Sequence, residues 1–235
     1  MEEVFVHGGS TQMGEHAAFR YLIVRDGEEI VVAAPLCITH IKDDTFAPAS
    51  VSQRLEVERR EGKTDHLVSK VVALGTPLGL GEQLYLRREH PGWRDALARF
   101  VRELQALREE HGATQILLRD FCRVAGDVAS ERRHEELRKV MMDLGLFEFR
   151  LPNMMTIDSI DWKDRDGFLA GLGQKYRYNV RKEILKHEEE FTVRAGGPFT
   201  GADIDACYEL YRSVHARSFE LNVFPLPRRL FEVAF

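Results

Sequence analysis

The chain has 235 residues, 44% of them hydrophobic and 30% charged, with a formal net charge of −5. That length suffices for one large domain or two small ones with a buried core, and the composition excludes global disorder. The acidic balance excludes general attraction to nucleic acid or to an anionic membrane surface, so an anionic partner has to be met by a local basic patch.

The elements follow in chain order. "FRYLIVRDGEEIVVAAPL" places two β-branched runs around Asp26-Gly27, a pair suited to a tight hairpin turn. "VSQRLEVERREGKTDHLVSK" is charged and weakly periodic, and reads as a loop. "SKVVALG" and "EQLYLRR" read as strands on either side of "TPLGLG". A long helix is expected next, with Pro91 near its start, Trp93, Leu97, Phe100, Val101, Leu104 and Leu107 on one face, and Gly112 to end it. "ATQILLRDF" reads as a short buried strand, followed by an amphipathic helix carrying Leu137, Val140, Met141 and Leu144 and stopped at Gly145. "LFEFRLP" and "NMMTIDSID" are strand-like.

From Trp162 the pattern turns helical: "KDRDGFLAGLG" leads into a basic helix, then a strand at "FTVRA". Thr200 with Asp203 forms a cap for a helix presenting Ile204, Cys207, Tyr208, Tyr211 and His215. A last apolar helix starts after Pro227 and stops at the chain end without a cap, which reads as a protein cut in mid-domain. Alternating strands and helices imply an α/β or α+β domain on a mixed sheet.

Cys37, Cys122 and Cys207 are odd in number and show no CxxC spacing, which fits free thiols in a reducing compartment better than a disulfide framework or zinc site. The longest apolar run, "IVVAAPLCI", falls far short of the roughly 20 residues of a membrane span, and the acidic start lacks the basic region of a signal peptide. A soluble, cytoplasmic protein is expected. HExxH, GxSxG and GxxxxGK[ST] are all missing, and the histidines are scattered without metal-ligand spacing. Gly75, Gly79 and Gly81 make either a phosphate-cradling loop or, the favoured reading, a plain turn. Asp158, Asp161, Asp164 and Asp166 suit a helix start. Asp43-Asp44 follows a strand edge and holds either a turn or a general base.

The stretch "LGQKYRYNVRKEILKHEEE" gathers Lys175, Arg177, Arg181, Lys182 and Lys186 on one helix. At 100° per residue Lys175, Lys182 and Lys186 share a stripe, Arg177 and Arg181 form a second, and Leu172, Tyr176, Val180 and Ile184 mark a buried face. Charge pattern alone allows a solvated helix face or an anion site.

"FLAGLGQKYRYNVRKEILKHEEEFTVR", with "DACYELYRSVHARSFELNVFPLPRRLFE" after it, resembles the GNAT-superfamily acyltransferases with a duplicated fold, the Fem-type peptidoglycan aminoacyl ligases and their relatives. The family's helix of the form L-x-x-K-x-R-x-x-x-R-[KR] is matched by Leu172, Lys175, Arg177, Arg181 and Lys182. The superfamily's pyrophosphate loop, [RQ]-x-x-G-x-[GA], has no counterpart in the chain.

The resemblance implies a GNAT-like mixed central sheet flanked by helices over residues 1–155, without its opening helices, and the opening part of a second GNAT-like unit over 156–235. It implies transfer of an acyl or aminoacyl group to an amine from acetyl-CoA, another acyl-CoA or aminoacyl-tRNA, with no metal. The acceptor would be a small-molecule amine or a peptidoglycan-precursor-like one. Lys175, Arg177, Arg181 and Lys182 would hold an anionic part of donor or acceptor. Tyr176, Tyr178 or Tyr211 would donate a proton, and Asp44 or Asp120 would act as base. The alternative is a non-catalytic GNAT-like module that grips a phosphate-rich ligand or nucleic acid, tRNA included. A third reading is a structural subunit, because an open sheet edge invites homo-oligomers.

Overall fold

The computed structural model describes residues 17–63, 65–75, 81–121, 126–149, 159–192 and 199–234. The chain divides into two compact units, Met1–Glu148 with Phe199–Phe235 and, separately, Phe149–Pro198. Residues 199–235, expected beside the basic helix in one unit, thus group with the first.

The first unit is a mixed α/β fold on a five-stranded sheet. Strand β1 (Ala18–Asp26) and strand β2 (Glu29–Lys42) form the expected antiparallel hairpin, with a register shift between Val24 and Arg25. Its turn lies one residue later than expected: Asp26 pairs with Glu29, and Gly27 takes the left-handed conformation (φ 56°) that a side chain would resist. Strand β3 (Val68–Leu74) pairs antiparallel with the second half of β2. Of "EQLYLRR" only β4 (Tyr85–Leu86) is strand, opposite Ala33 and Val32.

Ahead of the expected long helix, Ala49–Arg60 forms helix α1, where a loop was expected. The loop reading failed because α1 buries Ser52 and Arg59 along with Leu55, and buried polar residues erase the apolar stripe. Helix α2 (Trp93–Glu110) covers one sheet face with Trp93, Leu97, Phe100, Val101 and Leu104, each buried as its spacing predicted. These pack on Val32, Ala34, Leu36, Ile38, Val72 and Leu74. Fully burying each such side chain is worth about 1.5–3 kcal/mol. The chain then returns as β5 (Gln115–Leu117), parallel to β3 in the order β1-β2-β3-β5. Helix α3 (Val128–Asp143), capped by the Asp127 carboxylate, adds Leu137 and Met141 to the core.

Helix α6 (Gly201–His215), named in chain order after two helices of the second unit, opens with the expected capping box of Thr200 and Asp203. Helix α7 (Arg228–Ala234) follows Pro227, and Leu230 packs with Phe224, Leu226 and Phe19. Leu146–Phe149 are not strand, and the rest of "LFEFRLP", all of "NMMTIDSID" but its end, and most of "FTVRA" lie outside the described residues. Among the described residues no helix is long and apolar enough to cross a membrane.

The second unit holds helix α4 (Arg165–Gly171), capped by Asp164, and helix α5 (Gln174–Glu183), which passes into a 3-10 turn at Leu185–Glu190. The buried face expected for α5 is not there: none of its residues is buried, and Tyr176 and Ile184 are 69% and 62% exposed. Leu169 is the one buried hydrophobic side chain among the described residues of this unit, so the helix has little to pack against.

Candidate functional site

The parallel pair β3–β5 is where the first unit opens. Pairing runs from Val71 opposite Gln115 to Ala73 opposite Leu117 and stops. Among the described residues the two segments do not pair further. Gly75 turns away at φ 78°, its N–H donating to the Pro35 carbonyl at 2.8 Å, and a Cβ there would meet Gln83 Cγ at 3.0 Å. On the other chain Asp120 sits at φ 64°, a conformation uncommon outside glycine, with its buried Oδ2 3.6 Å from Arg119 Nε. Open α/β sheets bind ligands outside the carboxyl ends of such strands.

A recess of about 140 Å³ reaches Phe121, four residues past β5, and is lined besides by Glu82, Arg88, Arg133, His134 and Leu137. Ser130, Arg133, His134 and Leu137 share one face of α3 through the i, i+3, i+4, i+7 spacing. Arg88 Nη1 donates to the Arg133 carbonyl at 2.9 Å, and its guanidinium lies over Trp93 at 5.8 Å. His134 Nε2 is 3.3 Å from Glu148. With Arg88 and Arg133 against Glu82, the lining carries a net positive charge. Its size suits one phosphate-like group rather than a whole cofactor, which needs about 300 Å³ or more.

The opposite end of β3 is also charged, and there the buried charges Lys42, Asp44 and Arg59 are all paired. Arg59 reaches Asp44 Oδ1 and Glu56 Oε1 at 2.6 Å each and donates to the carbonyls of His66 and Leu67 at 3.0 and 3.1 Å. Lys42 lies 2.9 Å from Glu56, donates to Asn222 Oδ1 at 3.1 Å, and sits 5.0 Å above the Phe224 ring. Asn222 donates in turn to Asp44 and Glu56 at 2.7 and 3.0 Å. Burial alone would raise the Asp44 carboxyl, but hydrogen bonds from Arg59, Asn222 and Ser52 and the Arg59 charge outweigh it and hold it below the ordinary carboxylate range. Glu56 is depressed the same way, burial being outweighed by hydrogen bonds from Lys42, Asn222 and Arg59 and by the Lys42 charge. A carboxylate held down by fixed donors is a weak proton acceptor, so Asp44 is placed as a strut.

The remaining site residues fall in separate places. The Tyr211 hydroxyl accepts from the Leu226 N–H at 2.7 Å, and burial raises its pKa, against the pull of that bond. In the second unit Arg177 donates to the carbonyls of Leu172 and Ala170 at 2.9 and 3.4 Å, closing the end of α4. Tyr176 and Tyr178 are exposed, and Lys182 stands 5.8 Å over the Tyr178 ring. Lys175, Arg181 and Lys182 are exposed and have no ion-pair partner among the described residues. The candidate acids and bases of the first unit do not converge, because Asp44 and Asp120 flank opposite ends of β3, about 20 Å apart at the usual rise per residue.

Sequence reasoning missed Arg88, Arg133 and His134, although the polar residues at core-face spacing beside Leu137 were a usable signal. Cys37 is buried, its thiol pushed up to about 12 by burial despite the opposing charge of Arg119, and is inert at neutral pH. A more open groove of about 400 Å³ includes Arg60, Glu209, Arg212 and His215. Two of its polar groups are already engaged: Arg212 pairs with Glu209 at 3.3 Å, and His215 Nε2 donates to the Val223 carbonyl at 2.9 Å. No group of three or more His, Cys, Asp or Glu side chains suited to a metal occurs among the described residues. Compared with protein-family models, with curated proteins and with solved structures, the chain matches none.

Proposed function

We propose that the chain is an N-acyltransferase that docks an anionic group of its donor at the open end of the β3–β5 pair. The observation that carries this reading is the end of the parallel pairing at Ala73 and Leu117, with Arg88, Arg133 and His134 lining a recess beside Phe121, four residues past β5. Strands that stop pairing leave main-chain N–H groups available to a carbonyl, and the arginines supply charge for a phosphate-bearing carrier. The mixed sheet supports the GNAT-like, Fem-type resemblance at the level of fold.

Acetyl-CoA, another acyl-CoA or aminoacyl-tRNA would supply the acyl group. The acceptor nitrogen attacks the donor carbonyl, a C–N bond forms, and main-chain N–H groups meet the oxyanion. Collapse breaks the C–S bond of the thioester or the C–O bond of the aminoacyl ester, and the leaving group takes up the proton lost by the amine. Asp120 is the base this reading assigns. The acceptor is a small-molecule or peptidoglycan-precursor-like amine.

Thermal-shift titration with CoA and acetyl-CoA tests the docking step. A ligand at a hundredfold excess over its dissociation constant adds about 2.7 kcal/mol to stability. A dose-dependent rise that disappears in Arg88→Ala/Arg133→Ala supports the reading. If neither CoA species nor charged tRNA raises the melting point, the reading fails.

The unpaired cations of α5 favour a second reading for the second unit, a non-catalytic grip on a phosphate-rich ligand or nucleic acid. Binding of a short RNA with steep salt dependence, abolished in Lys175→Ala/Arg181→Ala and without turnover, is its signature.

A further inference from the structure

We propose that β1 is a self-association edge, along which two copies of this chain pair antiparallel about a two-fold axis at Ile23. Strand β1 ends the sheet, since it pairs with β2 on one side and with no other strand among the described residues. Two hydrogen bonds show which of its main-chain groups point outward. Gly75 N–H donates to the Pro35 carbonyl, and Thr114 N–H to the Lys70 carbonyl, so odd-numbered β2 residues address β3 and even-numbered ones address β1. Ala34, Leu36 and Ile38 therefore bond Leu22, Arg20 and Ala18. The N–H and C=O groups of Tyr21 and Ile23 face away from the sheet. The Phe19 carbonyl accepts from the neighbouring Arg20 side chain at 2.9 Å.

A partner strand has to set its own outward residues opposite these, which leaves three registers within one residue of the strand's middle, about Tyr21, Leu22 and Ile23. About Tyr21, Arg20 faces Leu22 and Arg25 faces Ala17, with no charge answered. About Leu22, Arg20 faces Val24 and Arg25 faces Phe19, with no charge answered. About Ile23, Arg20 of each copy faces Asp26 of the other, Tyr21 faces Arg25, and Ile23 faces itself. Opposite charges and aromatic contacts directly across an antiparallel pair are favourable, so charge complementarity selects the register about Ile23. The side chains involved are accessible, with Tyr21 77%, Ile23 45% and Asp26 74% exposed. Within its own chain Asp26 has His90 Nε2 at 3.4 Å. Arg20 and Arg25 also blunt the edge against out-of-register strands, in which they meet apolar or like-charged positions.

Sedimentation velocity on the full chain over a concentration series tests the proposal. The expected result is a species of twice the 27.0 kDa chain mass that grows with concentration. Arg20→Asp or Asp26→Arg alone should weaken self-affinity by about tenfold, and Arg20→Asp/Asp26→Arg together should restore it. Under mild oxidation Ile23→Cys copies should link to one another while Tyr21→Cys copies stay unlinked. A monomer at every concentration, or a dimer indifferent to both charge reversals, overturns it, and the second result assigns the contact to another surface.

Discussion

The two ends of strand β3 carry similar charges and have opposite chemistry. At its start, Arg59 and Lys42 are spent on Asp44, Glu56 and Asn222, and hydrogen bonds tie the 221–226 segment to α1 and β2. Past its end, Arg88 and Arg133 line a recess with one carboxylate, Glu82, and with Phe121, four residues beyond β5. Buried charge with every partner supplied holds structure; clustered charge short of partners in a recess holds a ligand. Charge count alone does not separate the two.

Arg59→Ala breaks the comparison most severely. It leaves buried Asp44 and half-buried Glu56 without their guanidinium, which should cost about 3–5 kcal/mol, read as a lower urea midpoint. Acid should act on the same end. Both carboxyls are depressed in the folded state, so their contribution is complete above the unfolded values near pH 4 and is lost as pH falls through the lower folded values. Stability measured from pH 6 down to 3 should therefore fall steeply in the wild-type chain, and less steeply in Asp44→Asn/Glu56→Gln. Asn222→Ala removes donors to both carboxylates and should cost about 1–3 kcal/mol.

Much of this fold was legible because its apolar spacing is clean. The hairpin, α2 and α3 follow from period 2 and period 3.6 patterns, and the α6 cap from Thr200 and Asp203. Helix α1 was not, because its inward face is Ser52, Leu55 and Arg59. The reason Arg59 is tolerated there lies partly in Asn222, more than 160 positions away in sequence. The basic helix α5 was legible as a helix, but its assumed apolar face is exposed. Of the candidate site, Asp120 was named and the recess arginines were not, since nothing local marks where strands stop pairing.

The second unit offers smaller effects. Arg177→Ala should cost about 0.5–1.5 kcal/mol, because its guanidinium holds carbonyls at the end of α4. Lys175→Ala/Arg181→Ala should stay within about 0.5 kcal/mol of wild type, both side chains being exposed. Differential scanning calorimetry ranks the two, and the reverse order would make the basic patch structural.

The most direct test of the contrast is denaturant unfolding of Asn222→Ala and Arg133→Ala side by side, each with and without CoA. The account predicts a crossed result: Asn222→Ala loses stability yet keeps the ligand's stabilising increment, whereas Arg133→Ala keeps its stability and loses the increment. Equal loss of the increment in both variants, or an Arg133→Ala that unfolds early and still responds to CoA, would contradict it.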